Sequence, residues 1–152
     1  MRCLGPGALA LLLAVLPAAA ARADEGGGAS RPPAAGRYTG RVGSVPSSTR
    51  AKAALNTLEI SRPAAGGFQL RIHLEWAGGH LCDLSGPAQS APDGSLRYTE
   101  AVASGPACEL RVRSIADDLV LSDERAACRR LYCGNRAGFD GVRFSVRSRR
   151  PN

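Results

Sequence analysis

Phe68-Gln69-Leu70-Arg71-Ile72-His73-Leu74-Glu75-Trp76 decides the fold of this chain. Large apolar residues hold every second position, and polar ones fill the places between them. A period of two puts alternate side chains on opposite faces of an extended backbone, so the segment reads as a half-buried β-strand. Gly66-Gly67 before it and Ala77-Gly78-Gly79 after it supply the backbone freedom that tight turns need.

Shorter stretches repeat this alternation on both sides, between clusters of Gly, Pro, Asp, Asn and Ser. Upstream, Tyr38 and Val42 share one face of Arg37 to Val42, and Leu58 and Ile60 one face of Ala54 to Ser61. Downstream, Cys82 and Leu84 point inward from a fourth strand, and Ser95 to Ala101 forms a fifth. Cys108, Leu110 and Val112 alternate with Glu109, Arg111 and Arg113 in a sixth. Asp117-Asp118 caps the next hairpin, and Leu119 to Leu121 is a short seventh strand. Val142, Phe144 and Val146 alternate with Arg143, Ser145 and Arg147 in the last. About eight short strands, with no helical period long enough for a bundle, predict an all-β domain. A small antiparallel up-and-down β-barrel over residues 36–150 is expected, with a closed sandwich as the neighbouring solution. The stripe from Phe68 to Trp76 can line a ligand cavity. The domain is short and its inward residues modest in size, so a filled core is the expectation.

Ser122 to Cys133 departs from the pattern. Ser122 suits a helix cap, Asp123 and Glu124 its positive end, Arg129 and Arg130 its negative end, and Gly134 its stop. Residues five apart lie roughly 140° apart around a helix. A helix through both Cys128 and Cys133 therefore forbids a bond between them.

The N-terminus sets the compartment. Met1-Arg2 is followed by an apolar run from Leu4 to Leu16, then Pro17, a string of alanines and Ala21-Arg22-Ala23. This is the form of a secretory signal peptide over residues 1–23, too short to remain as a membrane span. Residues 24–35 (DEGGGASRPPAA) contain no large apolar side chain and are expected to be a flexible leader. Cleavage after Ala23 leaves 129 residues with 18 basic and 13 acidic side chains, a net charge of +5. Lys52 is the only lysine, an arginine- and alanine-heavy usage typical of GC-rich bacteria, so the location expected is periplasmic or secreted. A chain of this length buries roughly two-thirds of its unfolded surface, enough for a true core.

Cys3 leaves with the signal, and Cys82, Cys108, Cys128 and Cys133 remain. An even number in an oxidising compartment reads as two disulfides. A zinc site is the poorer alternative: the chain has no C-x-x-C pair, and only a Cys3His set with His80 can be drawn. Reversal of successive strands brings Cys82, Cys108 and Cys128 to one end of the barrel. Cys82–Cys108 with Cys128–Cys133 is the pairing favoured, and Cys108–Cys128 with Cys82–Cys133 is its rival.

No G-x-S-x-G, H-E-x-x-H, Walker or G-x-G-x-x-G motif occurs, so no catalytic residue and no cofactor or metal is assigned. His73 reads as a surface residue between Arg71 and Glu75, and His80 as part of a turn beside Asp83. Asp117-Asp118 and Asp123-Glu124 have structural explanations. The candidate binding residues are arginines: Arg37 and Arg41 on the first strand, Arg143 and Arg147 on the last. If those strands pair, the four form one outward patch suited to carboxylate or phosphate. The alternative is that these arginines only blunt strand edges and aid solubility. Export and only seven aromatic residues exclude nucleic acid as a partner.

Gly36-Arg37-Tyr38-Thr39-Gly40, Gly79-His80-Leu81-Cys82, Ala107-Cys108-Glu109-Leu110 and the tail CRRLYCGNRAGFDGVRF together resemble a group of small exported bacterial β-proteins with paired cysteines. Tyr132, Gly134, Phe139 and Gly141 carry its closing segment. That resemblance implies no activity and no catalytic residue. A looser similarity of fold links the chain to periplasmic lysozyme inhibitors, with no motif in common. A basic domain would meet a basic lysozyme against its charge. The function expected is non-catalytic binding of an envelope component or protein, an anionic one where the arginine face is used. Inhibition of a wall-degrading enzyme and carriage of a small hydrophobic ligand are the alternatives.

Overall fold

A computed structural model describes residues 31–40 and 56–152. The expected signal peptide, most of the leader, Arg41 and Val42 lie outside the described residues. The strands are β1 (Gly36–Gly40), β2 (Asn56–Ser61), β3 (Phe68–Trp76), β4 (His80–Ser90), β5 (Leu96–Glu100), β6 (Cys108–Ile115), β7 (Asp118–Ser122) and β8 (Arg143–Ser145). A single helix, α1 (Ala127–Tyr132), interrupts the β7–β8 connection, and a 3-10 turn (Val146–Ser148) follows β8. Each strand pairs antiparallel with the next, and β8 returns to β1, so the sheet closes into an eight-stranded up-and-down barrel.

Alternation explains the core. Tyr38, Leu58, Ile72 and Leu84 stand directly opposite one another across β1 to β4, and all four are buried. Leu96, Val112 and Leu121 form a second buried row across β5 to β7. Phe139 and Phe144, both fully buried, add aromatic bulk from the far end of the chain. Side chains fill the barrel axis, as an eight-stranded barrel of this size allows.

Closure depends on the G-x-Y-x-G opening. Gly40 faces Phe144 in the β1–β8 register. A Cβ on Gly40 would lie 2.5 Å from the Arg143 carbonyl oxygen, and one on Gly36 2.8 Å from that of Arg150. Only glycine lets these backbones approach, while Tyr38 between them turns inward. Past Phe144 the last strand differs from expectation. Val146 is 40% exposed, because residues 146–148 curl into the 3-10 turn instead of continuing the period of two.

The barrel has two unlike ends. One carries the short β2–β3, β4–β5 and β6–β7 turns. The other carries the starts of β4 and β6, the end of β3, and the 20-residue connection 123–142, and all four cysteines gather there.

Candidate functional site

The cysteine end is built around a seam between β4 and β5. Ala91 donates its N–H to the Ser95 carbonyl (2.8 Å), so by alternation Gln89 and then Pro87 aim their main-chain polar groups at β5. Proline has no N–H to give. The β4–β5 ladder runs from Ser90↔Leu96 to Ala88↔Tyr98 and stops there. Most of β4, from His80 to Pro87, is left without β5.

The 123–142 connection fills this gap. Cys133 bridges to Cys82, and the Gly134 N–H donates to the Leu81 carbonyl (2.9 Å), extending the sheet by one short rung. The disulfides are Cys82–Cys133 and Cys108–Cys128, the rival pairing and not the one favoured. The reasons are geometric. β4 and β6 are not neighbours in the sheet, and the β4–β5 and β5–β6 registers carry Cys108 to the level of Gly86, four residues along β4 from Cys82, which puts the two beyond the reach of a disulfide. Cys128 is in the first turn of α1 and Cys133 just past its end, so the helix keeps them apart. Asp123, and not Ser122, holds the helix start: its buried carboxylate accepts from the N–H of Cys128 (3.3 Å) and of Arg129 (2.8 Å). Its own N–H donates to the Asp140 carboxylate (3.1 Å). Ser122 ends β7 instead.

Three polar side chains plug the mouth of the seam. Glu100 follows Leu96 and Tyr98 on the inward parity of β5. Its carboxylate accepts hydrogen bonds from Tyr98 (2.5 Å) and Tyr132, and the two hydroxyls lie 2.9 Å apart. These bonds, Tyr132's above all, hold the Glu100 carboxyl below its ordinary pKa. Burial first, and then the Glu100 carboxylate, push both tyrosines upward. The Tyr98 ring occupies the space over Gly86, where a Cβ would come within 2.4 Å of its Cε2.

The outer surface of this end is rich in arginine. Arg125, Arg129, Arg130 and Arg136 are all exposed. Among the described residues none of the four meets a carboxylate within ion-pair distance. Arg129 donates to the Asn135 carbonyl (2.9 Å) and Arg130 to the Arg125 carbonyl (3.2 Å), contacts that position a guanidinium without neutralising it. The nearby acids are already engaged: Glu124 pairs with Arg113 (3.1 Å), and Asp123 and Asp140 cap backbone N–H groups. A shallow cleft beside α1 has Trp76, Arg129, Arg136 and Phe139 along its walls. The indole N–H of Trp76 is buried without a hydrogen-bond partner among the described residues.

Of the arginines singled out from the sequence, Arg41 lies outside the described residues, and Arg37, Arg143 and Arg147 stand elsewhere. β1 and β8 do pair, which places Arg37 and Arg143 on one outer wall, but the hairpin acids reach the same place. Arg143 lies 3.5 Å from Asp118, and Arg147 donates to Asp117 at 2.9 Å. Arg37 is exposed with Glu59 as its register neighbour. His80 begins β4 opposite Trp76 and packs against Gly134, while Asp83 pairs with His73 instead (2.6 Å) on the outer wall. In the closing segment, Tyr132 joins the plug, Gly134 makes the rung to β4, Phe139 fills the core and Gly141 has a positive φ. The plug was legible only as parity, since Glu100 continues the inward series of Leu96 and Tyr98.

The disulfides suit an oxidising compartment outside the cytoplasm. Among the described residues no helix is long and apolar enough to cross a membrane. No family model, curated protein or solved structure matches the chain.

Proposed function

We propose that this is an exported, periplasmic or secreted, non-catalytic binding protein that engages an anionic component of the cell envelope through the cysteine end of its barrel. One observation carries the reading. Two disulfides and a buried capping carboxylate hold a six-residue helix and its flanking turns so that four arginines, with no carboxylate partner among the described residues, face solvent. Guanidinium groups bind carboxylate and phosphate bidentately, and fixing them in advance lowers the ordering cost of binding. On the β1–β8 wall, by contrast, Asp117 and Asp118 compensate Arg147 and Arg143. His73–Asp83 sits on an open wall, with no nucleophile bonded to the imidazole among the described residues, which favours binding over catalysis.

The test is binding of the purified, oxidised protein to envelope glycolipid phosphate. Arg129→Glu with Arg130→Glu is expected to abolish it, and Arg143→Glu with Arg147→Glu to leave it intact. The reverse ranking would move the surface to the β1–β8 wall. Full binding by both double variants would refute an arginine-based surface altogether.

A further inference from the structure

The same end of the barrel also exposes hydrocarbon. Leu131 and Leu81 are 47% and 44% exposed, far more than the apolar residues around them. Leu81 immediately precedes Cys82, Leu131 lies two residues before Cys133, and the Cys82–Cys133 bond ties the two stretches together. Arg129, Arg130 and Leu131 are consecutive and all exposed, while α1 is seated on the barrel through Ala127, Cys128 and Tyr132.

We infer that this end docks on an anionic lipid surface, its arginines on head-group phosphates and its two leucines entering the head-group layer. The inference rests on the reading of the cysteine end as the binding surface and names its occupant. Size favours lipid over an acidic protein. A standard protein interface engages roughly 20–30 residues a side around a buried aromatic or arginine anchor. A six-residue helix with its turns falls short of that. A bilayer surface asks for no shape complementarity, only cations at phosphate depth and a little apolar area below them. Around α1 the opposing charges are engaged: Asp140 is exposed but holds the Asp123 N–H, Glu124 is paired with Arg113, and Asp123 is buried. Beside Leu81, Asp83 is paired with His73, and Glu75, opposite Leu81 in the β3–β4 register, is the exposed acid with no ion pair among the described residues. Contact of this kind is reversible and salt-sensitive, unlike insertion of a membrane span.

Co-sedimentation of the full, oxidised protein with vesicles tests this. Binding is expected to phosphatidylcholine vesicles containing phosphatidylglycerol, with release by salt, and not to phosphatidylcholine alone. Each arginine near such a surface contributes about fivefold, so Arg129→Glu with Arg130→Glu should lower the partition at least roughly 25-fold. Leu131→Ser should weaken binding several-fold while keeping its salt dependence, and thermal melting of each variant checks that it is folded. Equal binding to both vesicle types, or no effect of Leu131→Ser, would overturn the inference. Soluble polyglutamate separates the two levels. If it binds through Arg129 and Arg130 while anionic vesicles do not, the lipid surface is refuted and the anionic binding surface stands. If neither binds, both fall.

Discussion

Gly86→Ala is a one-carbon change whose cost the barrel geometry sets. The new Cβ would lie 2.4 Å from Cε2 of Tyr98 and 3.2 Å from Cδ2, whereas ordinary contact begins near 3.4 Å. The Tyr98 ring must therefore retreat by about 1 Å in a packed interior where overpacking costs about 1–3 kcal/mol. It is not free to retreat. The ring is 5% exposed, and its hydroxyl is tied to Glu100 and Tyr132. Movement stretches these bonds, and a hydrogen bond to a charged group contributes about 1.5–3 kcal/mol. Replacing glycine in a strand returns about 0.5–1 kcal/mol. The net expectation is a loss of about 2 kcal/mol, or about 6–10 °C in Tm for a domain of this size. Urea unfolding followed by Trp76 fluorescence measures it. A Tyr98→Leu background removes the clash and should make Gly86→Ala neutral or slightly stabilising. A neutral Gly86→Ala in the parent, or an equal loss in both backgrounds, would refute the reasoning that Gly86 exists to seat Tyr98.

Proteolytic mapping under non-reducing conditions should recover Cys82 joined to Cys133 and Cys108 joined to Cys128; any peptide joining Cys82 to Cys108 contradicts the seam. Replacing Cys82 and Cys133 by alanine opens a 51-residue loop, less the 20 residues still bridged within it. Chain entropy then predicts a loss of about 3.5–4 kcal/mol, readable in the urea midpoint. Asp123→Ala strips two N–H groups of α1 of their acceptor and should cost about 2 kcal/mol by the same assay. The folded Glu100 titrates below its unfolded value. Its contribution is full above about pH 4.3 and fades as pH falls through the folded value, so Glu100→Gln should flatten the acid limb of a stability–pH curve. Tyr98 and Tyr132 are shifted the other way. Their contribution is full below about pH 10 and declines as pH rises above it, and Tyr98→Phe should shrink that alkaline loss.

Local chemistry was enough for much of the fold. The period of two in Phe68 to Trp76 and its shorter relatives depends only on neighbours along the chain, so strands, barrel class and inward faces were legible up to Val146, where the 3-10 turn breaks the alternation. So was the conflict between a helix and a Cys128–Cys133 bond, which follows from helical pitch. The choices that needed the closed barrel were those about which strands become neighbours. Pro87 is visible in the sequence, but a missing N–H matters only once it is known to face β5 and not β3. Pro87 stands where the β4–β5 ladder stops, and beyond it 133–134 docks on β4 and Cys133 bonds Cys82. The fate of the arginines was decided the same way. Pairing of β7 with β8 sets Asp118 opposite Ser145 and brings the hairpin acids to Arg143 and Arg147. Among the described residues the arginines of α1 have no such partners, the nearby carboxylates capping backbone or pairing with Arg113. Alternation assigns a side chain to a face; only the tertiary fold decides what shares that face, because charge and hydrogen bonding act through space and not along the chain.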